Sequence, residues 1–303
     1  MELRHLRYFV AIAEEGSLTL AAERRLHTAQ PSLSRQIRDL EREVGAPLLI
    51  RQARGTELTE AGRVFLDHAR MALLQVEQAG EAARRAAQPA KPVFVLGFLT
   101  GQEVTWLPPA LQVMRDELPS IEVTLASQTS PELAGALMRG QVDLAFLRRD
   151  DHAPGLVFRT VAREPLVAVL RSDHRLARSK TVKPQELLAE TFINPTRTAP
   201  ALKVVIDRYA ARLRIALSSD YVADNLAMAT SLVASTGGVT LLPLYAQNLL
   251  PPDVVIRPLQ GEAPTIELAL GYSRTNTSPL LKRFLSRVDE MIERVSKSLP
   301  QSL

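Results

Sequence analysis

The feature that most constrains this chain is a change of pattern at Pro89-Ala90-Lys91-Pro92. Before it, apolar residues recur at helical spacing. After it, short buried runs such as Val93 to Phe98 alternate with helical stretches. Two closely spaced prolines break a helix, so the segment reads as a hinge between domains. At 303 residues the chain exceeds one ordinary core and fits two domains plus a connector. The expected division is a helical domain over residues 1–60, a linker helix over 61–88 and an α/β region over 89–303.

Composition narrows the function classes. A hydrophobic fraction of 46% and a charged fraction of 23% are those of a globular protein. The absence of cysteine removes a disulfide framework, a thiolate zinc site and a cysteine nucleophile together. His5, His27, His68, His152 and His174 lack metal-binding spacing, and Asp150-Asp151-His152, followed by Ala153-Pro154-Gly155, reads as a solvated turn. There is no Gly-x-Ser-x-Gly, no phosphate-cradling glycine loop and no dinucleotide fingerprint. The expectation is a protein that is not an enzyme and needs no cofactor or metal. The charged start Met1-Glu2-Leu3-Arg4-His5-Leu6-Arg7 is unlike a secretory signal, and no run approaches the roughly 18 apolar residues of a membrane helix, which predicts a cytoplasmic protein.

Residues 1–60 read as short helices followed by a hairpin. Leu3, Leu6, Phe9, Val10 and Ala13 mark a first helix ending at Gly16. Ser17 caps a second, with Leu18, Ala21, Ala22 and Leu26, and Thr28 is the expected cap of a third. In that third helix Leu33, Ile37, Leu40 and Val44 form one apolar stripe, while Gln30, Ser34, Arg35, Arg38 and Arg42 occupy the other face and its flank. A helix with a packed back and a Gln/Ser/Arg front suits the major groove, where arginine grips guanine and glutamine adenine.

Charge supports that reading. Of 37 basic residues, 31 are arginine, a bias that a GC-rich genome alone would also produce. Their placement is more informative: residues 24–54 hold seven arginines against Asp39, Glu41 and Glu43. Arg51 and Arg54, on an expected hairpin, would form a wing reaching phosphate or the minor groove. From Thr59 onward, Phe65, Ala69, Ala72, Val76, Ala79, Ala83 and Ala86 follow alternating steps of four and three. That is a heptad seam suited to a second copy of the helix.

Past the hinge, strands are expected at Val93–Phe98, Ile121–Leu125, Asp143–Phe146, Phe158–Leu170, Phe192–Ile193, Asp220–Val222, Val239–Leu242 and Ile266–Tyr272. Helices are expected at Val104–Glu117, Pro131–Arg139 and, as one closing helix, Pro279–Val295. Two successive α/β lobes with a long return segment suggest a two-lobed domain with a cleft between them.

The segment Leu3 to Gly62 resembles the DNA-binding domain of LysR-type transcriptional regulators. It carries the Leu-Arg-Tyr-Phe opening, Ser17, Ala21-Ala22, Gln30-Pro31-Ser32-Leu33-Ser34-Arg35-Gln36-Ile37, Leu40-Glu41, and Arg51…Arg54…Leu58-Thr59…Ala61-Gly62. Gly97-Phe98, Leu107-Pro108, Gly140…Asp143, Gly237-Gly238 and Leu242-Pro243 extend the resemblance over the chain. It implies a winged helix-turn-helix, a long linker helix that dimerises, and a two-lobed effector domain akin to periplasmic binding proteins. It also implies a homodimer or homotetramer on dyad-symmetric double-stranded promoter DNA, in contact with RNA polymerase. Gln30, Pro31, Ser32, Ser34, Arg35 and Arg38 would meet base edges and nearby backbone, with Arg51 and Arg54 in the wing. Leu49 and Ile50 depart from the usual aromatic and charged residues, so altered wing packing is expected.

Within the family the chain is most similar to the branch governing aromatic-acid breakdown, hydrocinnamate (phenylpropionate) regulators included, through Gly97-Phe98-Leu99 with Glu103-Val104. That likeness implies a small-molecule effector whose carboxylate lies at helix N-termini, where free N–H groups and the dipole favour an anion. The matching positions are Thr100-Gly101, Thr129-Ser130 and Pro195-Thr196, with Phe146 and Arg148 along the wall. Gly101 replaces a frequent serine and loses its hydroxyl donor. Arg148 is either a carboxylate partner or a member of an inter-strand ion pair. A transport-type solute-binding protein would need export, and a DNA-binding regulator that no longer responds to a ligand stays open as the alternative.

Overall fold

The computed structural model describes residues 1–52, 55–87, 93–149, 153, 155–195, 198–217 and 221–298. The chain divides into two compact units, Met1–Gln88 and Pro89–Leu303. The expected hinge residues 89–92 and the turn at 150–152 lie outside the described residues.

In the first unit, α1 (Leu3–Glu15) buries Leu6, Phe9 and Ile12 and ends at Gly16, whose left-handed φ of 63° lets its N–H reach the Ile12 carbonyl. The Ser17 hydroxyl accepts the Leu20 N–H at the start of α2 (Leu18–Leu20), which continues as a π-helical stretch, Ala21–Leu26. Ala21 and Ala22 face the core with almost no exposure. The expected cap at Thr28 is corrected here. His27 (φ 46°) is left-handed, and the N–H groups of His27 and Thr28 both close onto the Ala22 carbonyl, so Thr28 terminates the preceding helix. Ala29 occupies the N-cap of α3 (Gln30–Val44), with Pro31 in its first turn, where a missing N–H costs nothing.

Leu33, Ile37 and Leu40 of α3 are fully buried. Val44, expected to complete their stripe, is instead exposed, because α3 outruns the small core before stopping at Gly45. The expected hairpin forms from β1 (Leu49–Gln52) and β2 (Gly55–Leu58), antiparallel with Leu49 opposite Leu58. Leu49 joins the core, whereas Ile50 faces outward. The long helix α4 (Glu60–Ala87) is capped by the Thr59 hydroxyl, which accepts the Gly62 N–H at 2.9 Å and donates to the Pro47 carbonyl at 2.7 Å. Phe65 meets Phe9 edge to face at 5.2 Å and Ala69 is buried, so the start of α4 belongs to this core. Ala72, Val76, Ala79 and Ala83, further along the same seam, are exposed.

The second unit begins with β3 (Val93–Leu99), α5 (Glu103–Glu117), β4 (Glu122–Gln128), α6 (Ser130–Met138) and β5 (Leu144–Leu147). β4 and β5 flank β3 in parallel, as crossover helices require. Then come β6 (Leu156–Arg171), β7 (Ile193–Pro195), α7 (Pro200–Leu213), β8 (Tyr221–Ala223), α8 (Leu226–Thr236), β9 (Thr240–Pro243), β10 (Val254–Pro258) and β11 (Thr265–Ser273). The first half of β6 pairs with β11, and its second half with β9 and β10, all antiparallel. This one strand therefore serves two cores. One gathers Phe94, Phe98, Trp106, Phe146 and Phe284; the other gathers Leu166 to Leu170, Phe192, Ile206 and Val233. Two lobes result, as the alternation of runs implies.

The helices α7 and α8 and the strand β10 go beyond the sequence reading. The single closing helix expected over 279–295 is corrected to two, α9 (Pro279–Ser286) and α10 (Val288–Ser298). They break at Arg287, which leaves helical geometry while its guanidinium pairs with Glu117 and Glu290.

Two glycines of α4 should respond oppositely to alanine. A Cβ at Gly62 would lie 2.1 Å from the Leu48 carbonyl oxygen, a backbone atom that cannot step aside. Gly62→Ala is expected to cost the first unit about 3 kcal/mol in urea unfolding followed by circular dichroism. Gly80→Ala, facing only the flexible Arg84 side chain at 3.5 Å, should stabilise by about 0.5–1 kcal/mol.

Candidate functional site

On α3, Gln30, Pro31, Ser32, Arg35 and Arg38 are all exposed, forming a continuous polar face over the first turns opposite the buried leucines. Arg38 is steadied by its Nε, which donates to the Ser34 carbonyl at 3.3 Å. Ser34 itself corrects the sequence expectation. It follows Leu33 and precedes Ile37 by three residues, so it lies on the flank of the buried stripe at 6% exposure and not on the outward face. Arg51 stands in β1 opposite Thr56, and Arg54 lies outside the described residues.

Two carboxylates hold the elements around this face in place: Glu41, of the Leu40-Glu41 pair, and Glu14, which carried no sequence signal. Glu41 Oε1 accepts the N–H groups of Leu48 and Leu49 at 2.8 and 3.0 Å, tying the end of α3 to the hairpin. Glu14 pairs with Arg25 on the π-helical stretch and, at 2.8 Å, with Arg70 on α4. Burial pushes the Glu14 pKa up, but the two arginine hydrogen bonds and their charges outweigh it and hold the carboxyl below its ordinary range. Of the hairpin itself, the Thr56 N–H donates to the Gly16 carbonyl at 2.8 Å.

In the second unit a cavity of about 110 Å³ opens between the lobes, room for several waters or a ring-sized solute. Leu99, Thr100, Thr129, Ser130 and Arg148 line it from one lobe; Asn194, Pro195, Thr198, Asn225 and Tyr245 are among those that line it from the other. Three helix N-termini converge there, those of α6 (Thr129 cap), α7 (Ala199 cap) and α8 (Asn225 cap). Their first turns carry N–H groups with no intrahelical partner.

Thr100, Thr129, Ser130, Arg148 and Pro195 thus come together as expected, and Thr196 lies outside the described residues. Phe146 is corrected. It stacks on Phe98 and Trp106 at 5.2 Å in the core of its lobe, because the alternation along β5 turns it away from the cleft. Gly101 is buried beside the cavity and does not line it, and its N–H donates to Glu103 Oε2 at 2.7 Å.

Arg148 is the charged centre of the cleft. It is 5% exposed, its backbone N–H donates to the Ser130 hydroxyl at 2.9 Å, and its Nη2 pairs with Glu164. Gln102 Nε2 also donates to Glu164, at 3.0 Å. Both alternatives for Arg148 are accommodated, because Nη1 remains buried and without a partner among the described residues. The guanidinium lies 5.8 Å over the Tyr245 ring. Burial pushes the Tyr245 phenol up to about 12, eased by Arg148 and reinforced by Glu164 and Glu103. No cluster of side chains placed to hold a metal, and no helix long and apolar enough to cross a membrane, occurs among the described residues.

A basic recognition face on a helix-turn-helix, in a chain that also carries a two-lobed cleft, defines a DNA-binding regulator with an effector domain. Comparison with known proteins gives the family. Residues 3–63 match the bacterial regulatory helix-turn-helix protein of the lysR family, and residues 87–292 the LysR substrate binding domain. The chain is 36% identical to the Hca operon transcriptional activator HcaR of Escherichia coli (strain K12), over 98% of this chain and 100% of that protein. It is 34% identical to the HTH-type transcriptional regulator AlsR of Bacillus subtilis (strain 168), over 94% of each. Among solved structures, full-length BenM matches with 26% identity and a TM-score of 0.59, covering 100% of both chains. Full-length CbnR in complex with its target DNA matches with 26% identity and a TM-score of 0.57, covering 96% of this chain and 100% of that one. The chain belongs to the LysR family of transcriptional regulators.

The Glu14 ion pairs give the first unit an acid limb. A carboxylate whose pKa is lowered by folding stabilises the fold above its unfolded value, near 4.5, and that contribution disappears as pH falls through the folded value. Glu14→Gln should therefore be less stable than wild type at neutral pH. The gap should close on acidification, read as converging urea midpoints.

Proposed function

We propose that this regulator responds to a small monomeric carboxylate with a flat apolar body, an aromatic acid being the best fit. The observation that carries the proposal is Arg148 Nη1, a buried cationic donor left unpaired beside a cavity onto which three helix N-termini open. A carboxylate there would satisfy the donor and gain from the helix dipoles. Thr100, Thr129, Ser130 and Pro195 would frame it, with Thr198, Asn225 and Tyr245 added from the cleft geometry. The resemblance to regulators of aromatic-acid breakdown supports an aromatic acid without specifying one.

DNA binding would proceed through Gln30, Pro31, Ser32, Arg35 and Arg38 in a major groove, with Arg51 and Arg54 serving the wing and Ser34 setting the helix against its core. The exposed seam of Ala72, Val76, Ala79 and Ala83 would join two copies through residues 61–88, placing paired recognition helices on a dyad-symmetric promoter in the cytoplasm. Effector in the cleft would shift the lobes' disposition and, through the oligomer, the bend of the DNA and its contact with RNA polymerase.

Thermal-shift titration with benzoate and 3-phenylpropanoate should raise the melting midpoint of wild type. Arg148→Ala should weaken that response at least tenfold, and Arg148→Lys should restore part of it. A wild type unmoved by any carboxylate would mark a regulator that no longer senses one. In selection from a random duplex library, Arg35→Ala should lose about 1–3 kcal/mol of preference for the enriched site. Undiminished discrimination would remove α3 from the groove.

A further inference from the structure

We infer that Glu103 determines the charge of the effector, admitting one carboxylate into the cleft and excluding a second. This rests on the reading of the cleft as a carboxylate site.

The N-terminus of α5 borders the cavity through Thr100, and its position matches where a ligand anion would be sought. The protein fills that position itself. Glu103, in the first turn of α5, folds back so that Oε2 accepts the Gly101 N–H at 2.7 Å, while Oε1 lies 3.4 Å from the Ser127 hydroxyl. The Ser127 hydroxyl is also 3.2 Å from Thr100 Oγ1, and the Thr100 and Gln102 N–H groups go to the Gln128 and Leu99 carbonyls, so each backbone N–H of residues 100–102 has an internal acceptor.

Residue 101 cannot supply a replacement donor. Its φ is +94°, and a Cβ would lie 2.8 Å from both Tyr245 Cε2 and Leu249 Cδ1. The position is confined to glycine, whose one donor Glu103 occupies.

Arg148 is the one cation among the described residues lining the cavity, and its Nη2 is committed to Glu164. What remains is a single buried donor edge, suited to one carboxylate. Against it stand the exposed Asp224 in the lining and, behind the wall, Glu164 on Arg148 and Glu103 on the Gly101 N–H. Tyr245 lines the same cavity, donates to the Thr100 carbonyl at 3.4 Å, and feels the fields of Glu103, Glu164 and Arg148 together. An effector carrying one carboxylate toward Arg148 meets compensation there. One extending a second carboxylate toward Thr100 enters the field of Glu103 just behind the wall, with no second cation among the described lining residues and with the N–H groups of residues 100–102 already taken.

The test is isothermal titration of the full-length protein with matched acids: benzoate against terephthalate, and 3-phenylpropanoate against 3-(4-carboxyphenyl)propanoate. Wild type should bind each monoacid at least tenfold more tightly than its diacid. Glu103→Gln keeps the shape and removes the charge, so the diacid should gain at least tenfold while the monoacid changes less than threefold. Glu103→Ala, which vacates the position, should move the ratio the same way and guards against a packing effect of glutamine. Equal binding of monoacid and diacid by wild type overturns the role of Glu103 and leaves the carboxylate reading standing. So does a ratio that neither folded variant shifts. If wild type binds none of the four acids, the carboxylate reading itself falls and the inference with it.

Discussion

A guanidinium at 5% exposure is tolerable only if its charge is met, and much of the effector domain is arranged around that requirement at Arg148. Glu164 meets half of it, and Gln102 helps hold Glu164. Ser130, in the first turn of α6, holds the arginine backbone through its hydroxyl. These residues come from the segment just after β5, from β6, from α6 and from the loop before α5, so satisfying one buried cation fixes four segments against each other. The edge left open faces the cavity. Removing Glu164 would leave a buried charge uncompensated, a larger penalty than the net worth of the pair.

Glu164 also stands at a special place in the chain. It precedes Pro165 in β6, just before that strand passes from the core containing Phe146 to the core containing Phe192. Its counterpart β11 pairs with β6 from Thr265 opposite Pro165 and supplies residues to both cores. Two strands thus connect the lobes and bring the wall of the cleft with them. The first unit solves an analogous problem at its surface, where Glu14 joins α1, the π-helical stretch and α4, and Glu41 joins α3 to the hairpin. In both units a carboxylate gathers donors from segments distant in sequence.

Much of this was legible in the sequence because it is periodic. The Leu33, Ile37 and Leu40 stripe, the hairpin around residues 49–58, and the strand-helix alternation after residue 93 follow from side-chain spacing alone. What escaped depends on choices that spacing does not encode. Ser34 is one step from a core position and falls inward; Phe146 alternates with Leu147 along β5, and no pattern tells which face of a strand buried on both sides meets the cleft. Thr28 is a good capping residue by type, yet the left-handed His27 commits its N–H to the helix before. The helix α8, Leu226–Thr236, is largely small and apolar with little amphipathic contrast, so it left no clear mark. Its cap Asn225 therefore carried no signal, although it opens onto the cavity.

The cavity wall is drawn from both lobes, which gives a solute bound there purchase on both. Thr129, Ser130 and Arg148 belong to one lobe, while Thr198, Asn225 and Tyr245 belong to the other. A solute touching only one of them would bind every arrangement of the lobes equally and shift nothing, however tightly it bound. A solute bridging Arg148 and the starts of α7 and α8 gains contacts only when the lobes stand at the right separation, so its binding energy differs between arrangements. With two strands between the lobes and a buried ion pair beside the crossing, that difference would act where β6 changes core. The cleft is thus placed to convert occupancy into a change of lobe geometry.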